Sequence, residues 1–394
     1  MQKIILVRYG EIALKGLNKS YFESRLIKNI KISLGDLGKT TVSVAQSRVY
    51  IEPENAEYNF VQAIEKLKKL FGIVSISIAY KTKTDFEKIK ELSLEAVKRI
   101  LKDGDRKTFK VETKRGDKKF FMKSPEISSE IGAFILENTS GLTVDVNNPS
   151  FILFIEVRES TYIYNEIIPA NKGMPVGTGG RCLLLLSGGI DSPVAGWMMA
   201  KRGVEISAIH FYSYPYTGER SKQKVIDIAK IIASYCLKLN LYIIPFTDIQ
   251  ESIKKKCDNE LMTIITRRIM MKTAEKLAGR INAQALITGE SFGQVASQTL
   301  KGLVATNDSV SIPVFRPLIG MDKEEVIALA RKIDTYETSI LPYEDCCTIF
   351  TAKHPKTKPD LKKVLYEEKK LGLEDLDKMI DKAINDMEKI IARI

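Results

Sequence analysis

Histidine is nearly absent from this chain of 394 residues: only His210 and His354 occur, too few for a multi-histidine zinc site. The five cysteines, Cys182, Cys236, Cys257, Cys346 and Cys347, never take C-x-x-C spacing, so neither a zinc ribbon nor an iron–sulfur run is written here. In a reducing compartment they read as thiols rather than a disulfide frame, with the adjacent pair Cys346-Cys347 as the exception. Long apolar runs are missing too. Nothing reaches the ~18–20 uninterrupted apolar residues of a membrane helix. The longest candidate, 182–199, is broken by Ser187, two glycines, Asp191 and Pro193. The opening run 1–8 is too short for a secretion signal and reads as a first strand. A cytoplasmic protein with no membrane contact is expected.

What is present is ordinary for a globular protein: 44% apolar and 28% charged residues, which excludes a wholly disordered chain. The length predicts ~2–3 domains. Lysine and arginine exceed aspartate and glutamate by 61 to 49. Basic residues crowd between 102 and 123 (Lys102, Arg106, Lys107, Lys110, Lys114, Arg115, Lys118, Lys119, Lys123), with Phe109, Phe120 and Phe121 interleaved. A basic stripe with aromatics offers phosphate contacts and stacking surface, a nucleic-acid footprint. The plainer alternative is a solvated lysine-rich face whose phenylalanines belong to a core.

Hydrophobic periodicity divides the chain. A strand at 3–9, a helix carrying Tyr21, Phe22, Leu26, Ile27, Ile30 and Ile32, strands at 41–44 and 48–51 and a helix at 59–70 make a small α+β domain, 1–75. A second α+β module, 76–165, has strands at 76–79, 108–114, 142–146 and 150–157, the last running on towards 162–165. Its helices lie at 85–102 and 124–138, the latter capped by Ser124 with Pro125 at its first position. Residues 166–180, rich in glycine and proline, read as a linker. From 181 to 394 the pattern alternates: strands 182–186, 205–212, 241–246 and 285–288, helices 193–202, 219–237 and 260–279. The continuous apolar run of the first strand suits burial on both faces of a parallel sheet. This is a doubly wound α/β domain.

At the carboxyl end of that first strand stands Ser187-Gly188-Gly189-Ile190-Asp191-Ser192-Pro193. Two glycines permit tight backbone and bare their N–H groups to phosphate oxygens, the serines add hydroxyls, and the proline opens a helix whose positive end faces the anion. A bare glycine turn before a helix is the structural alternative. The string is not a Walker A loop, which needs G-x-x-x-x-G-K-[ST]. In full it matches the PP-loop of enzymes that cleave ATP between the α and β phosphates.

With this motif located, the whole chain resembles the tRNA uridine 4-sulfurtransferase (4-thiouridine synthetase) family. Four blocks in order carry the resemblance: Arg8-Tyr9-Gly10-Glu11-Ile12-Ala13-Leu14-Lys15-Gly16 with Asn18; Phe109-Lys110-Val111, Lys114-Arg115 and Val144-Asp145-Val146-Asn147-Asn148-Pro149; Gly289-Glu290-Ser291-Phe292-Gly293-Gln294-Val295-Ala296-Ser297-Gln298-Thr299; and Leu341-Pro342-Tyr343-Glu344-Asp345-Cys346-Cys347-Thr348-Ile349-Phe350. It implies a ferredoxin-like opening, a THUMP domain over about 61–165, and an adenine nucleotide alpha hydrolase-like PP-loop domain. The rhodanese domain that some relatives append is absent before Ile394, so a cysteine desulfurase handing sulfur directly to this chain is implied, with a sulfur-carrier protein as a further partner.

By the same resemblance, ATP with Mg2+ adenylates the C4 oxygen of a tRNA uridine, position 8 in the family, and sulfur then displaces AMP to give 4-thiouridine. Leu185, Leu186, Ser187, Gly188, Gly189, Asp191, Ser192, His210, Phe211, Arg267, Gly289 and Gln298 would border the nucleotide. Asp191 would serve metal or transition-state positioning, or else only cap its helix. His210 could instead be a satisfied core histidine and Arg267 a surface helix residue. Cys347 would carry the persulfide with Cys346 to resolve it, while Cys182, Cys236 and Cys257 read as packing residues. Lys110, Lys114, Arg115, Lys118 and Lys119 would contact tRNA. No protein metal site is expected, and no iron–sulfur cluster, since the stretch Thr263-Ile264-Ile265-Thr266-Arg267-Arg268 lacks the cysteines of certain archaeal relatives. A homodimer and a second role in sulfur supply for the thiamine thiazole are also implied. The rival readings are a PP-loop RNA-modifying amidotransferase or ligase, and a non-catalytic RNA-binding protein.

Overall fold

The computed structural model describes residues 2–102, 106–343 and 356–393; Cys346, Cys347 and His354 fall outside them. Met1–Gly173 and Met174–Ile394 form two compact units. The first runs β1 (Gln2–Tyr9), α1 (Lys19–Leu34), β2 (Thr40–Ala45), β3 (Arg48–Pro53), α2 (Phe60–Lys69), β4 (Ile73–Lys83) and α3 (Phe86–Lys102). It continues with β5 (Thr108–Arg115), α4 (Ser124–Glu137), β6 (Thr143–Val144), β7 (Phe151–Val157), β8 (Ser160–Tyr164) and β9 (Ile168–Pro169). All these strands join one sheet in the order β2-β3-β1-β4-β8-β7-β5-β6, with β9 also on β4.

The strand β4 ties the two modules together. Its alternating pattern is long enough to pair antiparallel with β1 from Gln2↔Lys81 to Tyr9↔Ile73 and with β8 over Tyr80 to Lys83. The 75/76 position therefore lies inside one strand. Helix α1 turns Leu26, Ile30 and Leu34, one above the other at i, i+4 and i+8, onto the sheet core. In α2, Asn59 caps the start by accepting from the Gln62 N–H at 3.0 Å. Ser124 does not cap α4: the helix begins at Ser124, and the Lys123 N–H is taken by the Glu126 carboxylate at 2.7 Å.

The stretch read as a linker is ordered at both ends. Ile168–Pro169 adds to β4, and the Lys172 N–H donates to the Ile73 carbonyl at 2.7 Å. In the second unit the N–H groups of Gly177, Thr178 and Gly179 converge on the Gly203 carbonyl. Gly203 needs its positive φ of 89°, and a Cβ there would meet the Thr178 hydroxyl at 2.4 Å.

The second unit runs β10 (Arg181–Leu185), α5 (Asp191–Ala200), β11 (Glu205–Tyr212), α6 (Glu219–Cys236), β12 (Lys238–Pro245), α7 (Thr247–Lys256), α8 (Met262–Arg280) and β13 (Ala285–Ile287). Then come α9 (Leu300–Asn307), β14 (Val314–Phe315), α10 (Lys323–Lys332), α11 (Tyr336–Ser339), α12 (Leu361–Lys369), α13 (Leu373–Asn385) and β15 (Glu388–Arg393). The sheet order is β14-β13-β10-β11-β12-β15, parallel except for β15, which runs antiparallel on β12. Cys182, Leu183 and Leu184 are buried, as the apolar run requires. From β10 the chain winds outward through β11 and β12, then crosses back to lay β13 on the other side of β10. The order reverses there, and ligands bind at the carboxyl ends of strands at such a reversal.

Candidate active site

Leu185 ends β10, and the N–H of Leu186, the next residue, still donates to the Ile209 carbonyl at 2.8 Å. The chain then turns through 187–190 into α5. The two serines brace this turn: the Ser187 N–H donates to Ser192 Oγ at 2.9 Å, the two hydroxyl oxygens lie 3.1 Å apart, and the Gly189 N–H reaches Ser187 Oγ at 3.3 Å. Gly289, just beyond β13, comes so close to the start of α5 that a Cβ on it would stand 2.6 Å from the Ser192 nitrogen. Only glycine fits that approach.

A cavity of about 700 Å³ opens over the loop, and every nucleotide-site residue named from sequence lines it. Ile209, Phe211, Met270 and Met271 add apolar wall, and Phe211 stacks edge-on against Phe246 at 4.8 Å. His210 is buried, and its Nδ1 lies 3.0 Å from the Leu186 carbonyl oxygen. A carbonyl only accepts, so Nδ1 carries a proton. His210 therefore both satisfies a core contact and borders the cavity.

Charge is concentrated at two points. The Asp191 carboxylate accepts from Lys323 Nζ at 2.7 Å and from Gln294 Nε2 at 3.1 Å. Ile190, not Asp191, occupies the cap position of α5. Glu290, 3% exposed, pairs with Arg267, with Arg316 at 2.7 Å, and with the Thr288 hydroxyl at 2.8 Å. Burial pushes its carboxyl upward, but the charges of Arg267 and Arg316 and the hydrogen bonds from Thr288 and Arg316 outweigh this and hold it below the usual carboxylate range. Arg267 is thus a cavity residue fixed by a buried partner. Its Nε and the Gln298 Oε1 are buried polar atoms without a hydrogen-bond partner, as expected of a wall built for a polar ligand.

Sequence reasoning gave no role to Lys224, Glu290, Arg316 or Lys323. Glu290 lay inside a quoted block, next to Gly289. The other three stand outside the motifs, and only the fold brings them in.

Cys346 and Cys347 lie outside the described residues. Leu341, Pro342 and Tyr343, which precede them, line the cavity, and Lys224 Nζ donates to the Leu341 carbonyl at 2.8 Å. Burial pushes the thiols of Cys182 and Cys257 up to about 11 and that of Cys236 up to about 12. None of these three is a nucleophilic thiolate near neutral pH. Among the described residues no cluster of three or more His, Cys, Asp or Glu side chains could hold a metal ion. None of their helices is long and apolar enough to cross a membrane.

In the first unit, β5 and the turn after it carry the basic stripe. Lys114, Lys118 and Lys119 are exposed, while Lys110 is half-buried. Arg115 is directed inward: its Nη1 donates to the carbonyls of Phe120 and Met122 at 3.0 and 2.8 Å and so shapes the turn. The phenylalanines divide between the two readings, with Phe109 in the core and Phe121 76% exposed.

Residues 177–373 match the family model of the thiamine biosynthesis protein ThiI, 4–77 match the ThiI ferredoxin-like domain, and 83–166 match the THUMP domain. A probable tRNA sulfurtransferase of Acetivibrio thermocellus is 59% identical over 388 residues, 98% of either chain. Another, of Alkaliphilus metalliredigens, is 54% identical over the same length and coverage. A 4-thiouridine synthetase crystallised in complex with RNA and with bound ATP superposes with a TM-score of 0.92 at 40% identity, covering 100% of both chains. With all three modules matched in order and relatives alike from end to end, this chain belongs to the ThiI family, the tRNA sulfurtransferases.

Proposed function

We propose that the chain uses ATP to replace the C4 oxygen of a tRNA uridine, at position 8, with sulfur, giving 4-thiouridine, AMP and pyrophosphate. One observation carries the reading: a cavity of about 700 Å³ at the sheet's reversal point, walled by the glycine loop and by every residue that the nucleotide reading requires. The likeness to an ATP- and RNA-bound 4-thiouridine synthetase over the whole chain supports it.

A carbonyl oxygen leaves poorly until it carries AMP. Attack of that oxygen on the α-phosphate expels pyrophosphate, whose charge the positive end of α5 and the serine-braced loop receive. Lys323 and Gln294 hold Asp191 at the loop, where it serves metal or transition-state positioning. Asp191 also fits a magnesium ion, which would offset phosphate charge; a single carboxylate suffices because triphosphate oxygens and water complete such a site. Ile209, Phe211 and the two methionines offer the apolar surface that a purine base needs.

Sulfur arrives as a persulfide on Cys347, delivered by a cysteine desulfurase. Its terminal sulfur attacks C4 and expels AMP. The Cys346 thiolate then attacks Cys347 Sγ, releasing 4-thiouridine and leaving a Cys346–Cys347 disulfide that an external thiol reduces. The high thiol values of Cys182, Cys236 and Cys257 support leaving them out of the chemistry. Lys110, Lys114, Lys118 and Lys119 bind tRNA phosphates, and Arg115 shapes the turn that presents them. A dimer, in which one copy's first unit serves the other's cavity, is part of the same reading. Cys347→Ser is expected to leave ATP binding unchanged and to remove 4-thiouridine from tRNA digests when desulfurase, cysteine, ATP and Mg2+ are supplied. Nucleoside mass spectrometry reads the result, and full thiolation by this variant would displace Cys347 from the mechanism.

A further inference from the structure

Lys224 stands on α6, apart from the sequence blocks that carry the resemblance, yet it is part of the cavity wall. It is 7% exposed. Buried lysines are rare because the ammonium loses its hydration, and such a position is favourable only where polar or anionic groups take up the charge. The stem crosses the glycine loop. A Cβ placed on Gly188 would stand 3.4 Å from Lys224 Cδ, 3.5 Å from Cε and 3.7 Å from Nζ. The ammonium donates to the Leu341 carbonyl at 2.8 Å. Lys323, on α10, pairs with the Asp191 carboxylate at the same loop.

We propose that Lys224 binds the terminal phosphates of ATP and the departing pyrophosphate, making the site selective for a polyphosphate over a monophosphate. The assignment rests on the nucleotide reading of the cavity. Without a side chain on Gly188, nothing of that residue separates the lysine from the loop, so an anion bound over the loop, at the positive end of α5, meets the ammonium. An ammonium has three N–H donors on a flexible stem, so phosphate oxygens are taken beside the Leu341 carbonyl rather than in its place. The same bond then fixes the wall formed by Leu341, Pro342 and Tyr343 while the phosphates are bound.

Calorimetric titration of the intact chain with ATP, inorganic pyrophosphate and AMP tests this on wild type, Lys224→Gln and Lys224→Arg. The glutamine variant is expected to bind ATP and pyrophosphate about tenfold or more weakly, the effect of removing one charge-assisted hydrogen bond. AMP affinity should stay within about twofold, and the arginine variant should recover most of the ATP affinity. Equal weakening for AMP and ATP marks a merely structural residue and overturns the assignment, as does unchanged ATP affinity. Should Lys224→Gln fail to fold, Lys224→Met, which keeps the apolar stem, takes its place under the same criteria. A wild-type chain that binds no ATP removes the nucleotide reading and this assignment together. Wild-type binding with an unselective variant removes the assignment alone.

Discussion

Glu290 shows how one buried side chain serves both stability and the site. Its carboxylate faces Arg267 and Arg316, so removing the charge leaves two guanidinium groups without their common partner. Because its folded-state value is depressed, the stabilisation is present in full above the ordinary carboxyl value of 4.5 and is lost as pH falls through the lowered folded value. Glu290→Gln is expected to destabilise the chain at neutral pH by about 3–5 kcal/mol, as for one partner removed from a buried pair. The wild-type advantage should shrink as pH drops below about 4.5. Urea unfolding of both proteins at neutral and acid pH checks this; a difference that grows on acidification would contradict the ion-pair reading.

At the scale of elements, the basic stripe acts through β5 and its turn. Replacing Lys114, Lys118 and Lys119 by glutamine is expected to flatten the dependence of tRNA affinity on salt, by about one unit of log–log slope for each phosphate no longer neutralised, with ATP affinity unchanged. Filter binding over a salt series reads it, and an unaltered slope would return these lysines to the role of a solvated face. A different bond set holds α8 against α12 and α9: Arg268, 2% exposed, donates to Glu368 at 2.5 Å and to Asp308 at 3.0 Å. Glu368→Gln should cost about 3 kcal/mol in urea unfolding, and a change under about 1 kcal/mol would show that Asp308 alone compensates the guanidinium.

Those two element-level features differ in how far sequence could reveal them. Strands such as β1 and β11 and helices such as α3 carry their burial in local periodicity, and the reading placed them within a residue or so. The loop 187–190 was legible because its donors are consecutive. Lys323 reaches Asp191 across 132 residues and Lys224 reaches Leu341 across 117, and no local pattern encodes such a meeting. The sequence reading stops at β13 and leaves out every element from α9 onward; helix α7 and the antiparallel strand β15 show why such elements escape it. The first is a short helix of low mean hydropathy between stronger signals, and the second is an edge strand with one buried residue, Ala392. The boundary at 75/76 followed from a change of pattern, whereas β4 is continuous because its two ends pair with different neighbours.

For the molecule as a whole, the first unit supplies a basic strand end and turn with Lys114, Lys118 and Lys119 exposed, and the second supplies a cavity of about 700 Å³ over the glycine loop. On the proposed mechanism the uridine oxygen becomes an AMP ester before sulfur arrives. Transfer RNA carrying a heavy-oxygen label only at C4 of the target uridine isolates that event. After incubation with the intact chain, ATP, Mg2+, cysteine and a desulfurase, the AMP is collected and weighed by mass spectrometry. The heavy oxygen is expected in AMP in equal amount to the 4-thiouridine formed. Unlabelled AMP alongside 4-thiouridine would contradict activation of the base by adenylation.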